Sequence, residues 1–231
     1  MIIHGFQKMT VLDYPGLVAC TVFTAGCNLR CPFCHNARIV THIEEPDRIS
    51  EEEVISYLEK RKGLLDGVCV TGGEPLLQPD IADFLRKVKS FGLKVKLDTN
   101  GCYPEKLREI VEEGLVDYVA MDIKNSPSRY GETVGIKDFD ISPVKKSVEY
   151  LKSGVIPFEF RTTLVRELHL LSDMREIGEW IKGADKYFLQ GFVDSGDLLG
   201  EGCAAFSPQE MQAMLDAVRI HTPRAALRGV K

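Results

Sequence analysis

No stretch of about 18 apolar residues occurs anywhere in the 231-residue chain, so nothing in it reads as a membrane-spanning helix. Its first residues, MIIHGFQKMT, lack the basic start and the long apolar stretch of a secretory signal. The expectation is a cytoplasmic protein with no membrane partner. Lys and Arg are spread along the chain rather than clustered, and the formal charge is −5, which leaves no electrostatic footprint for a nucleic-acid backbone. No linker rich in Gly, Ser or Pro, no internal repeat and no low-complexity segment interrupts the sequence. A single domain over residues 1–231 is therefore expected.

What is present is the composition of a globular protein, 44% hydrophobic and 27% charged. Strand and helix signals alternate. LVACTVFT at 17–24 reads as the first strand, and a helix follows over about 50–62, with Ser50 and Glu53 placed for a capping box and Gly63 as its stop. GVCVTGG is a short apolar strand. Ile81, Phe84, Leu85, Val88 and Phe91 recur at helical spacing before Gly92, and LKVKLD is the next strand. The same alternation predicts a helix near 104–113, a strand at 116–123, a helix from Ser142 to Gly154 and the strand IPFEFRTTLV. A helix from Ser172 to Gly183, the strand KYFLQGF and a last helix from Ser207-Pro208 complete the pattern.

Six apolar strands separated by helices predict an α/β fold of parallel strands. Either an open doubly wound sheet or an incomplete barrel satisfies the pattern, and both put a site at the C-terminal strand ends. The distinctive polar segments fall there: TAGC, TGGEP, DTNG and MDIK after successive strands, and Arg161 late in the fifth.

Seven cysteines is an odd count for a chain read as cytoplasmic, so metal binding or burial is a better explanation than a disulfide framework. Cys27, Cys31 and Cys34 form C-x-x-x-C-x-x-C. A structural zinc site would need a fourth Cys or His. His35 adjoins Cys34, where neighbouring side chains point apart, and Cys69, Cys102 and Cys203 stand alone. The alternative is an iron–sulfur cluster with one iron not bound by a cysteine, which implies chemistry rather than electron storage.

With Phe33 just before the third cysteine and GGEP downstream, the chain resembles the radical S-adenosylmethionine superfamily. DYPG at 13–16, CPFCHN at 31–36, TGGEP at 71–75, LDTNG at 97–101 and MDIK at 121–124 follow in the order seen in activating enzymes of glycyl-radical proteins. Among these the chain is most similar to the branch that activates anaerobic ribonucleoside-triphosphate reductase. The resemblance implies a partial (β/α)6 barrel, one 4Fe-4S cluster on Cys27, Cys31 and Cys34, and S-adenosylmethionine as the ligand of the remaining iron. It implies cofactor contacts from Phe33, His35 and Asn36 on the adenine side, and from Gly72, Gly73 and Glu74 at the methionyl amino group. Lys124 and Arg161 would lie at its carboxylate, although a nearby carboxylate is an equal partner for Arg161. Asp98, Thr99 and Asp122 match residues that hold a monovalent cation, with a turn-capping role the alternative for Asp98. Asp13 matches a contact to the partner peptide, with a simple turn aspartate as the alternative.

The implied partners are a glycyl-radical enzyme and a flavodoxin- or ferredoxin-like electron donor. Residues 35–71 contain only Cys69, so no ferredoxin-like insert with further clusters is expected. The chain is longer than typical reductase activases and approaches the activase of pyruvate formate-lyase. A rival within the superfamily is an enzyme of small molecules, such as the synthase of a deazapurine precursor. Cys20, Cys69, Cys102 and Cys203 are expected to be structural and buried, Cys102 being the one nearest the site, and His4, His42, His169 and His221 carry no functional signal.

Overall fold

The computed structural model describes residues 1–43, 48–194 and 196–230. Its elements in order are β1 (Ile3–Thr10), β2 (Ala19–Thr24), α1 (Ala37–Thr41), α2 (Glu51–Lys60), β3 (Gly67–Gly72), α3 (Ile81–Ser90), β4 (Lys94–Thr99), α4 (Pro104–Glu112) and β5 (Tyr118–Asp122). They continue with α5 (Tyr130–Val134), α6 (Ser142–Lys152), β6 (Phe158–Leu164), α7 (Leu171–Trp180), β7 (Tyr187–Gly191), α8 (Pro208–Arg219) and β8 (Ala226–Arg228). The strand order is β1 through β8 in sequence order, and the sheet does not close. A doubly wound sheet reverses its order at a switch point, so this order decides against that architecture and for successive β/α units. The fold is α/β with a mostly parallel sheet.

The six expected strands are β2 to β7, and the six expected helices are α2, α3, α4, α6, α7 and α8, within a few residues of their sequence bounds. The expectation of parallel strands alone is corrected at the start of the chain, where β1 runs antiparallel to β2. β1 was not read because IHGFQKMT has no apolar run and most of its residues are partly or fully exposed, as on a strand with a single neighbour. β8 is only three residues long and partly exposed.

Two compact units divide the chain. The first comprises Met1–Asn28, Arg38–Thr99 and Tyr103–Ala120, and the second Leu29–Ala37, Asn100–Cys102 and Met121–Lys231. In the first, β2 pairs in parallel with β3 and β3 with β4, giving buried runs such as Val68, Cys69 and Val70 that need cover on both faces. The helix α3 supplies part of that cover through Ile81, Phe84, Leu85 and Val88, the residues that share one helical face. Helix α2 shows half of the expected capping box: Ser50 Oγ accepts from the Glu53 amide at 3.1 Å, and Glu53 with Glu51 and Glu52 complements the dipole of the first turn rather than returning a bond to Ser50.

In the second unit, β6, β7 and β8 pair in parallel, and Tyr187 and Phe160 fill its core. The Ser207–Glu210 capping box at α8 is complete. Glu210 accepts from the Ser207 amide at 2.7 Å and forms a bidentate pair with Arg166 at 2.6 and 2.8 Å. These bonds, those from Ser207 first, hold its carboxyl down at about 2.

Replacing the fully buried Phe84 by Ala should cost about 3–5 kcal/mol, read as a lower midpoint of urea unfolding. Glu210→Gln should lower that midpoint near neutral pH. Because the folded carboxyl titrates below the unfolded one, its contribution is present above the ordinary carboxylate range and is lost as pH falls through about 2. The gap between the Glu210→Gln and unmodified chains should therefore narrow on acidification.

Candidate active site

In the first unit, the chain leaving β2 is tied by its backbone to the chain leaving β3. Gly73 N–H donates to the Thr24 carbonyl at 2.9 Å and Glu74 N–H to the Gly26 carbonyl at 2.8 Å. Gly26 N–H in turn donates to Ile39 at 2.8 Å. Cys27 therefore starts from a fixed point. Both glycines of TGGEP are required by this approach. Gly72 has φ +123°, and a Cβ there would strike the Thr24 backbone. A Cβ on Gly73 would strike the Gly26 carbonyl. The space a side chain would fill at these two positions is taken by the protein's own backbone.

Glu74 is fully buried. Its Oε1 accepts from the Leu76 amide at 3.0 Å, capping a short 3-10 turn at Pro75–Leu77, and from Thr99 Oγ1 at 2.8 Å. Lys96 and Asp98 share one face of β4, two residues apart. The ammonium of Lys96 pairs with Asp98 Oδ1 and lies 3.7 Å from Cys69 Sγ, whose residue is its register partner on β3. Cys69 Sγ is also 3.8 Å from Asp98 Oδ1. In the second unit, the Asn100 side chain accepts from the Cys102 amide at 2.9 Å. Asp13 accepts from Thr21 Oγ1 at 2.5 Å, and Thr10 Oγ1 takes the Leu12 and Asp13 amides, so Asp13 anchors its turn to β2.

In the second unit, the segment carrying Cys31 and Cys34 is held by Arg30 N–H donating to Val134 at 2.9 Å and by Gly200 N–H donating to the Pro32 carbonyl at 2.8 Å. Phe33 is buried and meets the His169 ring edge-on, with centroids 6.5 Å apart. His35 is exposed and lies against Phe192, and Asn36 is half-buried.

Asp122, at the end of β5, accepts from Arg161 Nε at 2.9 Å and Lys124 Nζ at 3.0 Å. Burial pushes its carboxyl up, but the two cations outweigh burial and hold it at about 2. Lys124 is raised above the ordinary lysine range: burial opposes its charge, and Asp122 first and then the Cys31 thiol favour it. Arg161 thus meets a nearby carboxylate, one of the two partners expected for it.

Two residues escaped the sequence reading. His169 is buried, with Nε2 2.9 Å from the Lys124 carbonyl and Nδ1 3.1 Å from the Val165 amide. Nδ1 also lies 3.2 Å from the Val165 carbonyl, and burial lowers the pKa of the ring. Tyr130, fully buried, accepts from the Lys124 amide at 3.3 Å. Neither has a local signal, since a histidine in ELHLL and a tyrosine in SRYGE look like ordinary residues.

All seven cysteines are thiols. Cys20 and Cys69 are buried as expected, and burial pushes Cys20 up to about 12. Cys102 and Cys203 are corrected to partly exposed, because both lie on irregular segments outside the packed strands. Among the described residues, no three His, Cys, Asp or Glu side chains are already gathered as a metal set. The fit to a cluster therefore rests on donor chemistry: three thiols within eight residues, partly or fully buried, suit iron–sulfur ligation.

The expected monovalent cation fits less well. Asp98 already carries a lysine ammonium and Asp122 carries two cations. A further cation about 4 Å from an ammonium in a partly buried setting is opposed by roughly 4 kcal/mol.

Residues 21–181 match the family model of the radical SAM superfamily. The chain belongs to that superfamily. It is 32% identical over 196 residues to a protein of Methanocaldococcus jannaschii whose name proposes it as a glycyl-radical enzyme activating enzyme, covering 83% of this chain and 80% of that one. It is 31% identical over 175 residues to the pyruvate formate-lyase-activating enzyme of Listeria monocytogenes, covering 71% and 68%. Among solved structures, Streptococcus suis SuiB superposes with a TM-score of 0.69 at 15% identity, over 89% of this chain and 47% of SuiB. At that identity the likeness concerns the fold. This radical SAM chain is thus an enzyme homologous to glycyl-radical enzyme activating enzymes, and a 4Fe-4S cluster and S-adenosylmethionine follow from the family. No helix among the described residues is long and apolar enough to cross a membrane.

Asp122→Asn should destabilise the protein by about 1.5–3 kcal/mol, because Arg161 and Lys124 lose a charged acceptor. Calorimetric unfolding of the two chains side by side measures it.

Proposed function

We propose that the protein activates a glycyl-radical enzyme by abstracting hydrogen from a glycine Cα of that partner. The observation that carries the reading is the 32% identity, across 83% of the chain, to the Methanocaldococcus jannaschii protein named for that activity. The chemistry supplied when cluster and cofactor are bound is one-electron cleavage of the S-adenosylmethionine sulfonium to methionine and a 5′-deoxyadenosyl radical, which takes the hydrogen and becomes 5′-deoxyadenosine. The partner we favour is an anaerobic ribonucleoside-triphosphate reductase, from the motif series DYPG, CPFCHN, TGGEP, LDTNG and MDIK. A flavodoxin- or ferredoxin-like protein would supply the electron, in the cytoplasm, to one radical SAM domain without a ferredoxin-like insert.

In this reading Cys27, Cys31 and Cys34 hold the cluster. Phe33, fixed by His169, and the neighbouring His35 and Asn36 serve the adenine side. The backbone at Gly72 and Gly73 presents its edge to the methionyl amino group, with Glu74 bracing the turn. Lys124 and Arg161, oriented by Asp122, serve the cofactor carboxylate. Lys124 suits this role because its backbone is held on one side by Tyr130 and on the other by His169. Asp13, tied to Thr21, shapes the turn that faces the partner peptide. Asp98 and Thr99 complete the set as positions for a positive charge.

A second reading is supported by a specific likeness. A 7-carboxy-7-deazaguanine synthase of Hyperthermus butylicus is 37% identical over 97 residues, 42% of this chain and 40% of that one. The two readings separate by product. With the reduced, reconstituted protein, S-adenosylmethionine and a candidate glycyl-radical enzyme, activation yields 5′-deoxyadenosine together with a doublet spin signal in the partner. Formation of 5′-deoxyadenosine without that signal in any partner would reject the activating reading and leave the superfamily chemistry standing. Cys27→Ala, Cys31→Ala or Cys34→Ala should abolish 5′-deoxyadenosine formation, and Cys203→Ala should leave it unchanged.

A further inference from the structure

The cation expected at Asp98 and the lysine found there cannot both be needed. Lys96 is 2% exposed, and lysine is almost never buried so deeply without a fixed partner. Its partner is Asp98, reached along the same face of β4, and the cross-strand thiol of Cys69 closes the other side of the ammonium. Thr99, the next residue, is spent on Glu74 at 2.8 Å, which itself caps the turn after β3. The polar side chains around this strand end are thus linked to one another, with one ammonium at the carboxylate where an exchangeable ion would have to bind.

We propose that Lys96 is a tethered replacement for the monovalent cation, so that this protein carries its positive charge at Asp98 on its own chain and does not recruit Na+ or K+ there. An ammonium on a strand residue arrives with folding and does not depend on the ions of the medium. An inorganic ion at the same carboxylate would have to displace the ammonium into an apolar core or share the site against its repulsion. This inference rests on the resemblance that makes Asp98 a cation position. It is independent of whether the enzyme activates a partner, and its test needs no turnover.

The test is thermal unfolding of the full-length chain in sodium, potassium or tetramethylammonium chloride at matched ionic strength. The unmodified protein should melt at the same temperature in all three. A saturable rise specific to Na+ or K+ would overturn the proposal. Lys96→Met should melt roughly 10 °C lower in tetramethylammonium chloride, as expected for breaking a buried pair, and should regain about half of the loss, saturably, in Na+ or K+. An equal loss in all three salts would mean that the carboxylate has no use for an inorganic ion, and the replacement idea would fall. The same salt response should vanish in the Lys96→Met, Asp98→Asn double variant. If Lys96→Met does not fold, Lys96→Gln carries the same reading, and sodium-23 linewidths of the unmodified chain decide independently: broadening on adding the protein counts against the proposal, and its absence supports it.

Discussion

The backbone contact between the ends of β2 and β3 is the constraint on which the first half of the site depends. Two amides, Gly73 and Glu74, donate to carbonyls of Thr24 and Gly26, and the chain paths come so close that neither Gly72 nor Gly73 can carry a side chain. The same contact does three things at once. It sets the starting point of Cys27, aims the buried Glu74 at Thr99, and leaves a strand end built of backbone groups rather than of mobile side chains. A motif that looks like a ligand loop is also a structural clasp.

Charge is handled by the same economy in each unit. Asp98 is answered by Lys96 of its own strand, and Asp122 by Arg161 of β6 and by Lys124 just beyond the end of β5. Burial of an ion without such an answer is costly, which is why each carboxylate is held by geometry as well as by charge. Lys124 shows how far this extends. Its side chain meets Asp122, its amide meets Tyr130 and its carbonyl meets His169, so a residue read from MDIK alone is positioned by side chains from α5 and from the segment between β6 and α7.

Much of the scaffold was legible because the signals are local. The apolar strands β2 to β7 and the amphipathic helices between them declare themselves by periodicity, and Ser207 with Glu210 marks the start of α8 by a rule that involves four residues. What was not legible lacked a local pattern. β1 alternates too weakly to read as a strand, α1 and α5 are single short turns, and β8 exists only because β7 offers it an edge.

From the residue string alone came the three cysteines at thiolate-cluster spacing, the order of the polar motifs at strand ends and the succession of β/α units, because each depends on neighbours in the chain. Only the folded protein decided what those motifs touch. That Gly73 is required by Gly26, that Asp98 is matched by Lys96 on its own strand and by Cys69 across the sheet, and that His169 holds Lys124 and Phe33 all follow from strand register and packing between distant segments. Spacing in a sequence fixes which side chains share a face. It cannot say which carboxylate a buried cation will meet, because that is settled by what else the low-dielectric interior leaves for it to pair with.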